Sequence, residues 1–188
     1  MLMDDRQLLV KTRDGHEPAA RLLWERHAPR LLAYARAILP PRLSPDDVVQ
    51  SVFCRVVALD RATIKGVADV AAWLTILARR EALNAIRADR RERARLALRA
   101  HREEIPSALG SRDDLQIALD SLPRRLREIV TLKHVSGLTF DQIALALALN
   151  RNTAAARYRA AIETLRRSLN DLPTGPTPRA NPMEVLHG

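Results

Sequence analysis

Leucine, valine, isoleucine and alanine return every three or four positions along most of the 188-residue chain, the spacing of a buried helix face. A short helix is predicted from about Asp4 to Arg13, closed by the turn Asp14-Gly15-His16. A longer one starts near Glu17, with Pro18 in its first turn. Leu22, Leu23, Leu31, Leu32, Ala35, Ile38 and Leu39 form its core face. Pro29 predicts a kink or break, and Pro40-Pro41 ends the helix. Ser44 is the N-cap of the next, with Pro45 at its first position and Asp46 and Asp47 on the positive end of the helix dipole. Val48, Val49, Val52, Phe53, Val56 and Val57 make its apolar side, and residues 60–68 read as a loop. A helix from about Asp69 through Trp73, Leu74, Leu77, Ala78, Leu83 and Ile86 grows steadily more basic.

The stretch Ile105-Pro106-Ser107-Ala108-Leu109-Gly110-Ser111 has no periodicity and reads as a linker. Four helices are predicted beyond it, the first carrying Leu115, Ile117, Ala118 and Leu119 and leading into Leu122-Pro123. Pro123 can start one containing Leu126, Ile129, Val130 and Leu132, closed by Gly137 in the left-handed conformation. Thr139 and Gln142 form a capping box for a short helix carrying Ile143, Ala144 and Leu147. Asn150 caps the last, which runs through Leu165 and Leu169. The residue at the intervening turn is Ala148, where a left-handed backbone costs about 1 kcal/mol.

Composition fixes the class. Aromatic residues are 3% of the chain and there are 6 glycines, too few for a sandwich or barrel of aromatic strands and glycine turns. Apolar residues at 47% and charged residues at 28% suit a protein folded in water. The expected fold is all-α: two small helical domains joined by a flexible linker, the second a helix-turn-helix. The boundaries are 1–95, 96–112 for the linker, 113–170, and a proline-rich disordered tail at 171–188. No apolar run has the length of a bilayer span and no signal segment opens the chain, so a cytoplasmic location is expected.

Charge is unevenly placed. The net +9 is concentrated in residues 71–102, at +6, and residues 151–170, at +4, nearly all of it arginine. Two basic stretches suggest two contacts with one polyanion, since a guanidinium forks onto phosphate oxygens and stacks on bases. In the last helix Ala154, Tyr158, Ala161, Ile162, Leu165 and Leu169 fall on a packing side. Arg151, Asn152, Ala155, Ala156 and Arg159 fall on the other, near the end that a helix-turn-helix places in a major groove. Arginine and asparagine there can bond guanine or adenine edges. Arg157 suits a phosphate, and Thr153 a phosphate or a cap. Taken alone, these features fit a stand-alone regulator as well as part of a larger machine. A helical adaptor without DNA is the reading from another class.

Several segments together resemble a known family. Pro29-Arg30-Leu31-Leu32-Ala33-Tyr34-Ala35, Asp46-Asp47-Val48-Val49-Gln50-Ser51-Val52-Phe53, and Trp73-Leu74 followed by Leu77-Ala78-Arg79 occur in that order. Leu122-Pro123, Arg127-Glu128-Ile129, Gly137-Leu138-Thr139 and Gln142-Ile143-Ala144 follow, then Thr153, Arg157 and Ala161. Their order and separation resemble bacterial RNA polymerase sigma factors of the extracytoplasmic-function group, over about residues 6–95 and 113–169.

The resemblance implies an initiation subunit that directs core polymerase to promoters and helps open them. Asp46, Asp47 and Gln50 would bind the clamp helices of the largest-subunit family, with Val49 and Phe53 packing behind them. Arg79, Arg80, Asn84, Arg87, Arg90 and Arg91 would meet the minus-ten element. Arg151, Asn152, Thr153, Arg157 and Arg159 would meet the minus-thirty-five element. Departures from the family pattern include Ser51 in place of an acid, a longer loop before Trp73, Arg80 in place of asparagine, and alanines at 154, 156 and 160. The alanines leave base reading to Arg151, Asn152 and Arg159. An anti-sigma factor is a further partner common in the family.

Nothing in the chain predicts a cofactor, a metal site or a nucleophile–base set, so no enzyme is expected. The five histidines lack ligand spacing. Cys54, the only cysteine, lies in an apolar run and is expected to be buried and inert. Trp73, Trp24 and Tyr34 are expected to pack in the core or at an interface.

Overall fold

The computed structural model describes residues 3–97 and 114–171. They form nine helices: α1 Asp5–Arg13, α2 Glu17–Ile38, α3 Pro45–Ala58, α4 Arg61–Lys65, α5 Val70–Ala97, α6 Asp114–Ser121, α7 Arg124–His134, α8 Phe140–Leu147 and α9 Arg151–Asp171. The all-α expectation holds. The expected linker lies outside the described residues apart from positions 96–97 at the end of α5, and so does the expected tail apart from position 171.

Local signals set most boundaries. Ser44 Oγ accepts from the Asp47 amide at 3.2 Å, and Asp4 and Gln7 form a reciprocal capping box on α1. Thr139 and Gln142 do the same on α8, and Asn150 Oδ1 accepts from the Thr153 amide at 2.7 Å. Each satisfies backbone donors that a helix start otherwise leaves open. Gly137 has φ +66° and Ala148 φ 52°, both left-handed, as the turns at these points require.

Three expectations need correction. Residues 60–68 are not all loop: Asp60 caps the single-turn helix α4 by accepting from the Thr63 amide at 2.7 Å. Pro29 does not break α2, which runs 22 residues through it; the proline is solvent-exposed, where the carbonyl it frees can bond to water. The apolar faces are narrower than drawn, because Leu22, Val57 and Leu169 are exposed at the edges of their stripes.

Helices α2, α3 and α5 pack on one another, with α1 laid across them. Val49, Val52, Val56, Leu74 and Ala78 fill the space between. A smaller cluster of Ala118, Leu122, Val130, Ala161 and Leu165 ties α6 and α7 to α9. The principal core does not stop at the N-terminal unit. It is one continuous buried cluster holding Leu31, Tyr34 and Leu74 from that unit and Ile129, Leu132, Leu138 and Ile143 from the C-terminal one. The two units are docked, an arrangement the sequence did not announce.

Candidate nucleic-acid and polymerase interface

The N-terminus of α3 presents Asp46, Asp47 and Gln50, all exposed, while Val49 is fully buried beneath them and Phe53 partly so. Phe53 packs at 4.7 Å against the ring of Trp24, tilted by 50°, and Trp24 is itself 40% exposed. The acids occupy the positive end of the helix, with the Asp47 amide already served by Ser44. Their free oxygens can accept cationic or amide donors from a partner. Cys54, expected to be buried, is exposed on the same helix.

Between α3 and α5 lies an open cavity of about 380 Å³. Asp47 and Ser51 stand on its α3 wall, and Glu81, Asn84 and Arg91 on its α5 wall. Two residue sets assigned to separate tasks thus share one groove. Glu81 is held by Arg55 at 2.5 Å. At the same end Arg42 donates to Asp89 at 2.8 Å, a hydrogen bond that holds the Asp89 carboxyl below its ordinary value of 3.8.

Along α5, Arg80, Asn84, Arg87, Arg90 and Arg91 are all exposed. Positions 80, 84, 87 and 91 repeat every three or four residues and so make one helical stripe of donors. Arg87 leans on Asn84 at 3.4 Å. Such a row, with amide and guanidinium groups interleaved, can follow the phosphates of a single strand or flanking duplex. Arg79 does not join it. Its side chain is 20% exposed and its Nε donates to Glu128 Oε1 of α7 at 2.7 Å. Trp73 packs partly buried against the main core, as expected.

The third array is the start of α9. Ala154 and Ala161 are fully buried and Leu165 nearly so, whereas Arg151, Asn152, Ala156 and Arg159 are exposed. Thr153 and Arg157 are half-buried at the margin. Tyr158 fixes the helix from behind. Its hydroxyl lies 2.8 Å from His134 Nε2, and its ring meets Phe140 edge-on at 5.5 Å. Arg151 reaches Asp141 at 3.4 Å across the turn. The exposed face is therefore held rigidly on a capped helix that follows α8 by three residues, the geometry that enters a major groove.

The seam between the units contains residues that sequence reasoning did not single out as a group. Glu128, only 7% exposed, takes Arg79 and also the hydroxyl of Tyr34, at 3.4 Å. Burial, and then the neighbouring Glu128 charge, push the Tyr34 phenol well above its ordinary 10.0. Arg30 donates to the Ser136 carbonyl at 3.4 Å, and Gln142 Nε2 to Asp69 Oδ2 at 2.8 Å. The available signal was an acid, Glu128, directly before the apolar residues Ile129 and Val130 and one helical turn before Leu132. Among the described residues no group of three or more His, Cys, Asp or Glu could hold a metal ion, and no helix is long and apolar enough to cross a membrane.

Known proteins resemble this chain in sequence and fold. Residues 23–92 match the family profile for Sigma-70 region 2, and residues 112–165 that for Sigma-70, region 4. The RNA polymerase sigma factor CarQ of Myxococcus xanthus is 29% identical over 172 residues, covering 87% of this chain and 97% of CarQ. Among solved structures, CnrH in complex with the cytosolic domain of CnrY superposes with a TM-score of 0.61 at 24% identity, over 88% of this chain and 97% of CnrH. The sigma factor RpoE of Bartonella quintana, in complex with the anti-sigma factor NepR, gives 0.62 at 24% identity, over 77% and 92%. These two likenesses carry the fold.

Proposed function

We infer that this chain, which belongs to the sigma-70 family and is an RNA polymerase sigma factor of the extracytoplasmic-function group, divides promoter recognition between its two helical units. The N-terminal unit, residues 1–95, grips core polymerase through Asp46, Asp47 and Gln50 on α3. The stripe of Arg80, Asn84, Arg87, Arg90 and Arg91 on α5 meets the opened minus-ten region. Arg79 joins that stripe once released from Glu128. The C-terminal unit, residues 113–170, sets α9 in the major groove of the minus-thirty-five element. Arg151, Asn152 and Arg159 read base edges there, and Thr153 and Arg157 hold phosphates. The protein acts in the cytoplasm, by binding and without catalysis of its own. The solved relatives are complexes with protein partners, and an anti-sigma factor is proposed as a partner here too.

The observation that carries this reading is the sidedness of α9. Ala154, Ala161 and Leu165 are buried on one side, and Arg151, Asn152 and Arg159 are exposed on the other, near the end next to the turn, in a chain whose other unit matches region 2. Reconstituted transcription with purified core polymerase on a genomic fragment library tests it. Discrete start sites that depend on the added chain are expected. Absence of any association with core would overturn it.

A further inference from the structure

We propose that Glu128 is an internal stand-in for a DNA phosphate, and that by holding Arg79 it latches the two units shut until promoter and polymerase pull them apart. The proposal rests on the functional reading above for what opens the latch, but not for the latch itself. A carboxylate and a phosphate present the same pair of oxygens to a guanidinium. Arg79 sits one residue from the exposed α5 stripe, yet its Nε is spent on Glu128 at 2.7 Å in a site where both side chains are largely removed from water.

Size makes opening obligatory. The positions that name the two promoter elements lie about 25 base pairs apart, and at 3.4 Å per pair that is about 85 Å. A closed body of some 150 residues is about 40 Å across. The docked molecule therefore cannot occupy both elements at once. The polar contacts beside the latch are weak: Tyr34–Glu128 and Arg30–Ser136 are both long, at 3.4 Å, and Ser136 Oγ is buried with no partner. Apart from the apolar contacts and the Gln142–Asp69 bond, the Arg79–Glu128 pair is therefore the strong tie across the seam. A buried pair of this kind is worth little against its own desolvation while intact, but removing one partner strands a charge. The closed state should thus depend on both residues.

The full chain supplies its own probe site, since Cys54 is exposed and alone. With one dye there and a second on Glu163→Cys, at an exposed position of α9, energy transfer reports closure. High transfer is expected for the otherwise wild-type chain, and a clear loss in Glu128→Gln. Arg79→Gln acts from the other unit and should open the chain equally, which covers a loss of helicity in the first variant. Arg79→Leu with Glu128→Leu should stay closed.

Binding to a mixed-sequence single-stranded 20-mer separates masking from mere docking. Glu128→Gln should bind several-fold tighter than wild type, and its salt dependence should steepen by about 0.7 in log–log slope, one added phosphate. Arg79→Gln should open without that gain. An already extended wild-type chain, or variants that change neither transfer nor slope, overturns the proposal and leaves the function intact. A chain that opens as stated but directs no transcription refutes the function and leaves the latch.

Discussion

Asp69 and Gln142 each cap a helix and also bond to each other across the two units. Asp69 Oδ1 accepts from the Ala72 amide at 2.9 Å, at the start of α5, while Oδ2 accepts from Gln142 Nε2 at 2.8 Å. Gln142 Oε1 meanwhile accepts from the Thr139 amide at 2.8 Å to close the α8 capping box. Helices α5 and α8, one from each unit, are thus started by residues that also tie the units together. Gln142→Glu keeps the acceptor for Thr139 but faces Asp69 with a second carboxylate. It should cost about 0.5–1.5 kcal/mol by urea denaturation. Asp69→Asn in the same chain should recover most of the loss, a coupling that a cap defect alone would not produce.

Ala148 is the one non-glycine residue at positive φ among the described residues, at φ 52° and ψ 49°. Its amide still closes α8 by bonding back to Ala144 and Leu145. The left-handed backbone costs an alanine about 1–2 kcal/mol, and glycine gives back roughly 0.4–1 kcal/mol of that through the freer unfolded chain. Ala148→Gly is therefore expected to stabilise the protein by about 0.5 kcal/mol, read as a higher urea midpoint at unchanged m-value.

The caps at Ser44, Thr139 and Asn150 were legible because each is a local signal, decided within three residues. The single turn of α4 was not, because five residues are too few to show a period and only the Asp60 cap marks it. Cys54, Val57 and Leu22 were misplaced for a related reason: a heptad pattern gives the direction of a buried face but not its width. The exposed side of α9 was legible, since Ala154, Ala161 and Leu165 recur at helical spacing and are buried while Arg151, Asn152 and Arg159 between them are exposed. The fate of Arg79 was hidden. It lies among arginines in sequence, but it follows buried Ala78 and precedes buried Ala82, and its partner is 49 residues away. Docking of the units depends on such distant pairings, which no periodicity records.

Asp46 and Asp47 are exposed and their helix start is already capped by Ser44. Reversing both to lysine should weaken association with core polymerase at least tenfold in a pull-down titration. The C-terminal unit, which these residues do not touch, should keep its DNA binding. Lysines at this end also oppose the helix dipole, by about 0.3–1 kcal/mol each. A modest fall in stability is expected alongside, and Asp46→Asn with Asp47→Asn should show the binding loss with little of it.

His27 is buried in α2, with Asp5 Oδ2 at 2.9 Å from its Nε2 and Arg26 and Arg30 nearby. Burial depresses its pKa below 6.5 and outweighs the pull of Asp5 in the other direction. Burial raises Asp5, but the Arg26 hydrogen bond and the His27 charge outweigh it and hold the carboxyl below 3.8. Below 6.5 the unfolded chain therefore takes up a proton at this histidine more readily than the folded one, so stability falls with pH. Urea midpoints should be level above 6.5 and decline from there towards the lower folded value. His27→Gln should remove that part of the decline and leave the carboxylate-driven loss below 3.8.

Arg159 is exposed two turns into α9, on the face opposite Ala154 and Ala161. It has the length to reach a base edge where the neighbouring alanines do not. Arg159→Ala should lower discrimination at one base pair of the minus-thirty-five element by about 1–3 kcal/mol and leave the other positions as they were. Arg157→Ala, at the margin of the face, should instead weaken all sequences alike and reduce the salt slope by about one. A binding matrix measured for each variant on a randomised element separates the two, because only a residue that touches a base can change the order of preference.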